Sequence, residues 1–219
     1  MPFNLEMLLD YFGVYNERIW PVQVVGYVAG LLILVPLFRP GKVGNRVVTG
    51  GLALLWLWVG LVFWVPAASE MAMLYAPAAL FAVQGVLFLH ALVRGHLAYG
   101  PAGRVATILG LAFVAYALVG YPLVGLGVGH VYPHAVLSPL FPCPAIILTF
   151  GLLLFARGVP RHLLIIPALW ALSGLLWLYL GMFEDAGLVI AGVVGVVLIT
   201  ARARAVRRGV SATPQSQLM

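Results

Sequence analysis

Seven stretches of this chain are almost free of charged side chains, near 19–38, 47–66, 73–93, 104–128, 138–157, 162–182 and 186–203. Crossing a hydrocarbon core of roughly 30 Å takes about 20 helical residues, so each stretch has the length of a membrane span. Helices satisfy their own backbone hydrogen bonds where no water is available. The alternating apolar and polar positions of a membrane β-barrel are absent from these stretches. The pattern therefore predicts an all-α, polytopic membrane protein with seven transmembrane helices.

The flanks read differently. In NLEMLLDYFG, Leu5, Leu8, Leu9 and Phe12 fall on one helical face, Asn4 can cap the first turn and Gly13 can end it. Residues 1–18 are thus expected as an amphipathic helix lying on the outer membrane surface. Residues 19–203 form the transmembrane domain, and 204–219 a basic, mobile cytoplasmic tail. The residues ahead of the first span are acidic, whereas a cleavable signal begins with basic ones, so none is expected.

Composition supports the bilayer as solvent. Of the 219 residues, 63% are hydrophobic and 8% charged, against about a quarter charged in soluble domains. One cysteine excludes an intramolecular disulfide. The net charge of +6 is read as a topology signal and not as a nucleic-acid footprint. Arg39, Lys42, Arg46, Arg94, Arg104, Arg157, Arg161, Arg202, Arg204, Arg207 and Arg208 all fall on one side of a seven-span threading. The acids Glu6, Asp10, Glu17, Glu70, Glu184 and Asp185 fall on the other, with Arg18. Positive-inside asymmetry then predicts an N-terminus outside and a C-terminus in the cytoplasm, in a cell membrane.

Candidate chemistry gathers at the outer ends of spans four, five and seven. YPLVGLGVGHVYPH brings Tyr121, His130 and His134 together with three glycines, and LSPLFPCPA places Cys143 between Pro142 and Pro144. Proline removes a backbone donor, and irregular backbone at membrane depth must be buried in protein or line a cavity. Spans four and five are therefore expected to break around an outward-facing pocket that exposes Cys143 and freed carbonyls. His130 and His134, with Cys143, are candidate metal ligands, weakened as a pair by Pro133 between them. Glu184 and Asp185 start the seventh helix, where capping its backbone donors would account for them and a pocket role is the alternative. No acid or base is expected deep within a span, which argues against an energised pump. Trp56, Trp58 and Trp170 are expected at mid-membrane as packing or an aromatic wall, with Trp20 and Trp64 in the outer interfacial belt.

Several landmarks occur together. The opening PFNLEMLLDYFGVYNERIWP, the YPLVGLGVGHVYPH turn, the FPCPAIILTFGLLL run and the EDAGLVIAG start resemble a bacterial family of seven-helix inner-membrane proteins, domain of unknown function 6064. The resemblance implies that fold, the bacterial inner membrane, and outer landmarks at Tyr15, Asn16, Trp20, Pro21, His130, Pro142, Cys143 and Pro144. It implies no activity, cofactor or substrate.

Three functions follow from the residues. The first is binding or transport of a small ligand or ion, with Tyr15, Asn16, Glu17, Trp20, Tyr121, His130, His134, Cys143, Glu184 and Asp185 as the ligand-binding set. The second is a membrane-embedded metal-dependent hydrolase built on His130, His134 and an acid. The third is an accessory subunit that docks a membrane partner or a second copy. The first is preferred.

Overall fold

A computed structural model describes residues 5–211, with side chains placed through 205. Asn4 and most of the expected tail, including Arg207 and Arg208, lie outside the described side chains. Among the described residues the chain is all-α apart from one short strand pair.

The first helix, α1 (Leu5–Ile19), turns through 87° into α2 (Val22–Leu32) and α3 (Val35–Phe38). Gly13 does not end α1. It provides the bare surface on which His134 rests, since a Cβ there would lie 2.7 Å from the His134 Cδ2. Next come α4 (Lys42–Trp58), a π-turn (Val59–Trp64) and α5 (Val65–Glu70), which together form one continuous helix of 29 residues. A 3-10 turn (Ala72–Leu74) leads into α6 (Tyr75–Arg94), and β1 (Ala98–Tyr99) follows. Helix α7 (Arg104–Ala115) continues through a second π-turn (Tyr116–Gly120) into α8 (Tyr121–Gly127). After an irregular segment come α9 (Pro142–Leu153), β2 (Ala156–Arg157), α10 (His162–Tyr179), a 3-10 turn (Phe183–Asp185) and α11 (Ala186–Ser211). The last helix thus runs past the expected end of its span.

Five helices among the described residues are long and apolar enough to cross a membrane, and six if the bent α1–α2–α3 pair is one span. The stretch 138–157 departs from expectation. Its helix has only 12 residues, about 18 Å. Pro142 and Pro144 do not unwind it. They occupy its first turn, where the missing N–H groups would be unpartnered anyway. Every residue of α9 except Cys143 is buried, so this short, uniformly apolar segment is an interior helix of the bundle.

Lipid tails are as apolar as leucine, so α9 is held by close packing more than by escape from water. At its crossing with α7, a Cβ on Gly110 would sit 2.9 Å from the Gly151 carbonyl, and one on Gly151 3.0 Å from the Gly110 carbonyl. On the α11 side, Gly195 accommodates the Phe150 ring at 2.6 Å from its would-be Cβ. Trp56 donates to Thr149 Oγ1 at 2.9 Å, and Thr149 donates to the Ala145 carbonyl at 2.7 Å, tying α4 to α9. The outer faces of α10 and α11 instead expose Leu169, Leu172, Ile190, Val193 and Val197, as lipid-facing helices do.

The two ends of the bundle are built differently. At one, β1 pairs antiparallel with β2, Ala98 opposite Arg157 and Tyr99 opposite Ala156, while Asn45 Oδ1 accepts from the Tyr99 N–H at 2.9 Å. At the other, α1 lies under the irregular segment 128–141 and holds it in place. Asn16 Nδ2 donates to the carbonyls of Pro133 and Ala135, Gln23 donates to Asn16 Oδ1 at 2.6 Å, and the Tyr15 hydroxyl donates to the Leu140 carbonyl at 3.0 Å. Those side chains supply the partners that non-helical backbone requires away from water. Tyr15 also accepts from Trp58 Nε1 at 2.8 Å, and the Tyr11 hydroxyl donates to the Phe63 carbonyl within the first π-turn.

Candidate functional site

The site grows from the junction of α8, the start of α9 and the start of α11. Tyr116 and Tyr121 are five residues apart, which on an α-helix would point them to diverging faces. The π-turn between them adds the residue that brings both rings toward α11, their centroids 6.2 Å apart. Close approach is possible because residue 187 is glycine: a Cβ there would lie 2.0 Å from the Tyr116 Cε1. The Tyr116 hydroxyl then donates to the Glu184 carbonyl at 2.7 Å.

Glu184 and Asp185 are 0% and 1% exposed. They are not free caps of α11, because side chains of α8, α9 and the irregular segment hold them. The Tyr121 hydroxyl donates to Asp185 Oδ1 at 2.7 Å, and the Cys143 thiol donates to Asp185 Oδ2 at 3.6 Å. Glu184 Oε1 pairs with His130 Nδ1 at 2.9 Å, while its Oε2 has no hydrogen-bond partner. Gly125 makes room for that pair, since a Cβ there would be 3.1 Å from Glu184 Oε1. Among the described residues, no lysine or arginine pairs with either carboxylate.

Beside Cys143 and Asp185 lies a cavity of ≈ 20 Å³ open to water centres, walled by Leu8, Phe12, Phe63, Trp64, Tyr121, Phe141, Trp170 and Met182. One water needs roughly 10–15 Å³ by that measure, so the space suits a water or a small ion. Trp64 Nε1 is buried without a hydrogen-bond acceptor. The Trp170 indole makes no hydrogen bond of good geometry but sits close enough to act on the Cys143 thiol. The rings of Trp64 and Trp170 meet edge to face at 5.4 Å. Trp64, 6% exposed, therefore serves as a pocket wall.

Of the ten expected ligand-binding residues, Tyr121, His130, Cys143, Glu184 and Asp185 come together. Tyr15 and Asn16 hold the irregular segment, and Glu17 and Trp20 are exposed on the outside of α1 and its turn. His134 faces α1, its Nε2 3.8 Å from Asp10 Oδ1. The metal expectation is corrected with it: His130 goes to Glu184, His134 to Asp10 and Cys143 to Asp185. Among the described residues no three histidine, cysteine, aspartate or glutamate side chains are grouped to hold a metal ion. Trp64 and Tyr116 are the contributors that periodicity missed, and the five-residue Tyr116–Tyr121 spacing was the available clue; Trp170, expected as packing or an aromatic wall, lines the cavity.

Fold and site together define a helical membrane protein with a carboxylate-lined interior pocket. A family model matches residues 5–209, and the chain belongs to that family, the family of unknown function DUF6064. Comparison with curated proteins finds no match, and neither does comparison with solved structures.

Proposed function

We propose that this protein binds a small ligand or ion, as a carrier or sensor, in the pocket between α8, the start of α9 and the start of α11. One observation carries the proposal: Glu184 and Asp185 are buried, Asp185 lines a cavity, and their side-chain partners are the neutral donors Tyr121 and Cys143 and the titratable His130. Burying a carboxylate costs several kcal/mol unless it is well compensated, and ionisable groups within membrane segments mark ion and proton paths. The small cavity favours a proton or a small cation over a metabolite. The dispersed histidines and thiol do not favour the hydrolase.

The proposal includes seven crossings of a bacterial inner membrane, N-terminus outside. Supporting this, the chain enters α9 beside Tyr15 and leaves it beside Tyr99, so it passes from one end of the bundle to the other although the helix is short. The pocket then faces outward, at the carboxylate end.

Proton flux tests the function. In liposomes carrying the purified protein, an imposed potassium diffusion potential should drive proton movement reported by an internal pH dye. Asp185→Asn should abolish that movement while leaving the helical spectrum intact. Flux no greater than in protein-free liposomes, together with no Asp185-dependent uptake of protons or of alkali cations by the detergent-solubilised protein, overturns the proposal. A charged thiosulfonate added to intact cells should modify Cys143 from outside; modification only in inverted vesicles would reverse the orientation.

A further inference from the structure

At the end of the bundle remote from the carboxylates, the α9–α10 connection and residues 199–204 of α11 enclose a cleft of ≈ 650 Å³. Among the described residues, the guanidinium side chains of Arg157, Arg161, Arg202 and Arg204 line it, and no acidic residue does. The cleft is built and not a chance crowding of tails. Pairing of β2 with β1 fixes Ala156 and Arg157, and the Gly100 N–H donates to the Phe155 carbonyl at 3.1 Å. Gly158 takes a left-handed φ of 68°, which turns the chain between Arg157 and Arg161. Arg202 Nη1 donates to the Leu154 carbonyl at 2.7 Å, filling an orphan acceptor at the end of α9 and holding one guanidinium in the cleft.

Like charges gathered without a counter-charge repel one another, and a bound anion would relieve that repulsion. The location says which anion. Arg202 lies 16 residues beyond Ala186, about 24 Å along the α11 axis, close to the edge of a hydrocarbon core that the same helix traverses. Directly below, the exposed faces of α10 and α11 carry Ile165, Leu169, Val193 and Val197, which offer a surface for acyl chains. Guanidinium groups match phosphate oxygens in pairs, and basic clefts between membrane helices take anionic headgroups.

We infer that this four-arginine cleft binds the phosphate of an anionic phospholipid, with the acyl chains on the apolar faces of α10 and α11. The shared chemistry with any soluble phosphate is the oxyanion; the lipid is distinguished by its tails.

The test is equilibrium binding to the purified protein in a neutral detergent, with three probes: a water-soluble short-chain phosphatidylglycerol, the matching phosphatidylcholine, and inorganic phosphate. The phosphatidylglycerol is expected to bind and the other two to bind at least tenfold more weakly. The triple variant Arg157→Gln/Arg161→Gln/Arg204→Gln should weaken binding on the order of a hundredfold. The single Arg204→Gln variant, at an exposed helical position, should weaken it about fivefold with no change in fold. The equally neutralised Arg39→Gln/Arg94→Gln/Arg104→Gln variant should bind as the parent does. Equal binding of phosphatidylcholine, an equal loss in the second triple variant, or inorganic phosphate binding as tightly as the lipid would each overturn the inference, the last by identifying a soluble occupant.

Discussion

The two ends of the bundle treat charge in opposite ways. At the carboxylate end, Glu184 and Asp185 are withdrawn from solvent and surrounded by named donors at short range, each position set by helices from distant parts of the chain. At the arginine end, Arg157, Arg161 and Arg204 are exposed, and the one anchored guanidinium, Arg202, is held by a backbone carbonyl and not by a carboxylate. The difference teaches that segregation along a membrane chain need not be only a topology code. A buried acid costs energy that the fold must offset, so its partners are structural. An exposed base at the headgroup level costs little, so the fold can leave it free for something outside the protein.

The sharpest break in this comparison is His130→Ala. It removes the partner of Glu184 in a pair whose side chains are 8% and 1% exposed, and an uncompensated buried charge costs about 3–5 kcal/mol. Equilibrium unfolding in mixed micelles should show that loss, and adding Glu184→Gln should restore part of it. A His130→Ala protein as stable as the parent would mean that the pair carries no stability.

Asp185→Ala should cost less, about 1–3 kcal/mol, because it strands the Tyr121 hydroxyl and the Cys143 thiol as neutral donors and not as charges. Asp185→Asn keeps an acceptor for Tyr121 and should fall below Asp185→Ala in the same unfolding assay. Gly187→Ala reaches the same site by shape alone. The added methyl collides with Tyr116 and displaces the ring that bonds the Glu184 carbonyl, an overpacking penalty of about 1–3 kcal/mol. Equilibrium unfolding should show that penalty, and a Gly187→Ala protein as stable as the parent would show that the ring can move aside freely.

The smallest effect belongs to the other end. Arg161→Gln is expected to change stability by no more than about 0.5 kcal/mol, as for an exposed side chain without a structural partner. A loss comparable to Asp185→Ala would remove the contrast between the ends.

How much of this was legible in the chain depends on the element. The long helices at 42–70, 72–94, 104–127 and from 183 onward fall where continuous apolar runs place them. Gln84, a polar residue inside one of those runs, joins α6 to α10 by donating to the Leu163 carbonyl at 3.1 Å. Helix α9 was not legible, because a uniformly apolar run looks the same whether lipid or protein surrounds it. The π-turns were not legible either, since inserting one residue into a helix leaves no mark on composition. Within the site, the clustering of Tyr121, His130, Cys143, Glu184 and Asp185 followed from their shared end of the bundle. The role of Tyr15 and Asn16 did not, because a polar side chain that satisfies a backbone and one that binds a ligand have the same sequence signature.

By itself, then, the sequence determined solvent and segregation. Sixty-three per cent apolar residues in long runs point to a bilayer, and the positions of six acids and twelve bases predict an end for each. Those properties are sums over neighbouring residues and need no knowledge of what folds against what. Only the tertiary structure decided that α9 is interior, that two carboxylates are buried and one of them lines a water-sized space, and that Arg157, Arg161, Arg202 and Arg204 share one cleft. Each of these is a contact between segments far apart in the chain, set by glycine crossings and π-turns whose consequences appear only when helices meet.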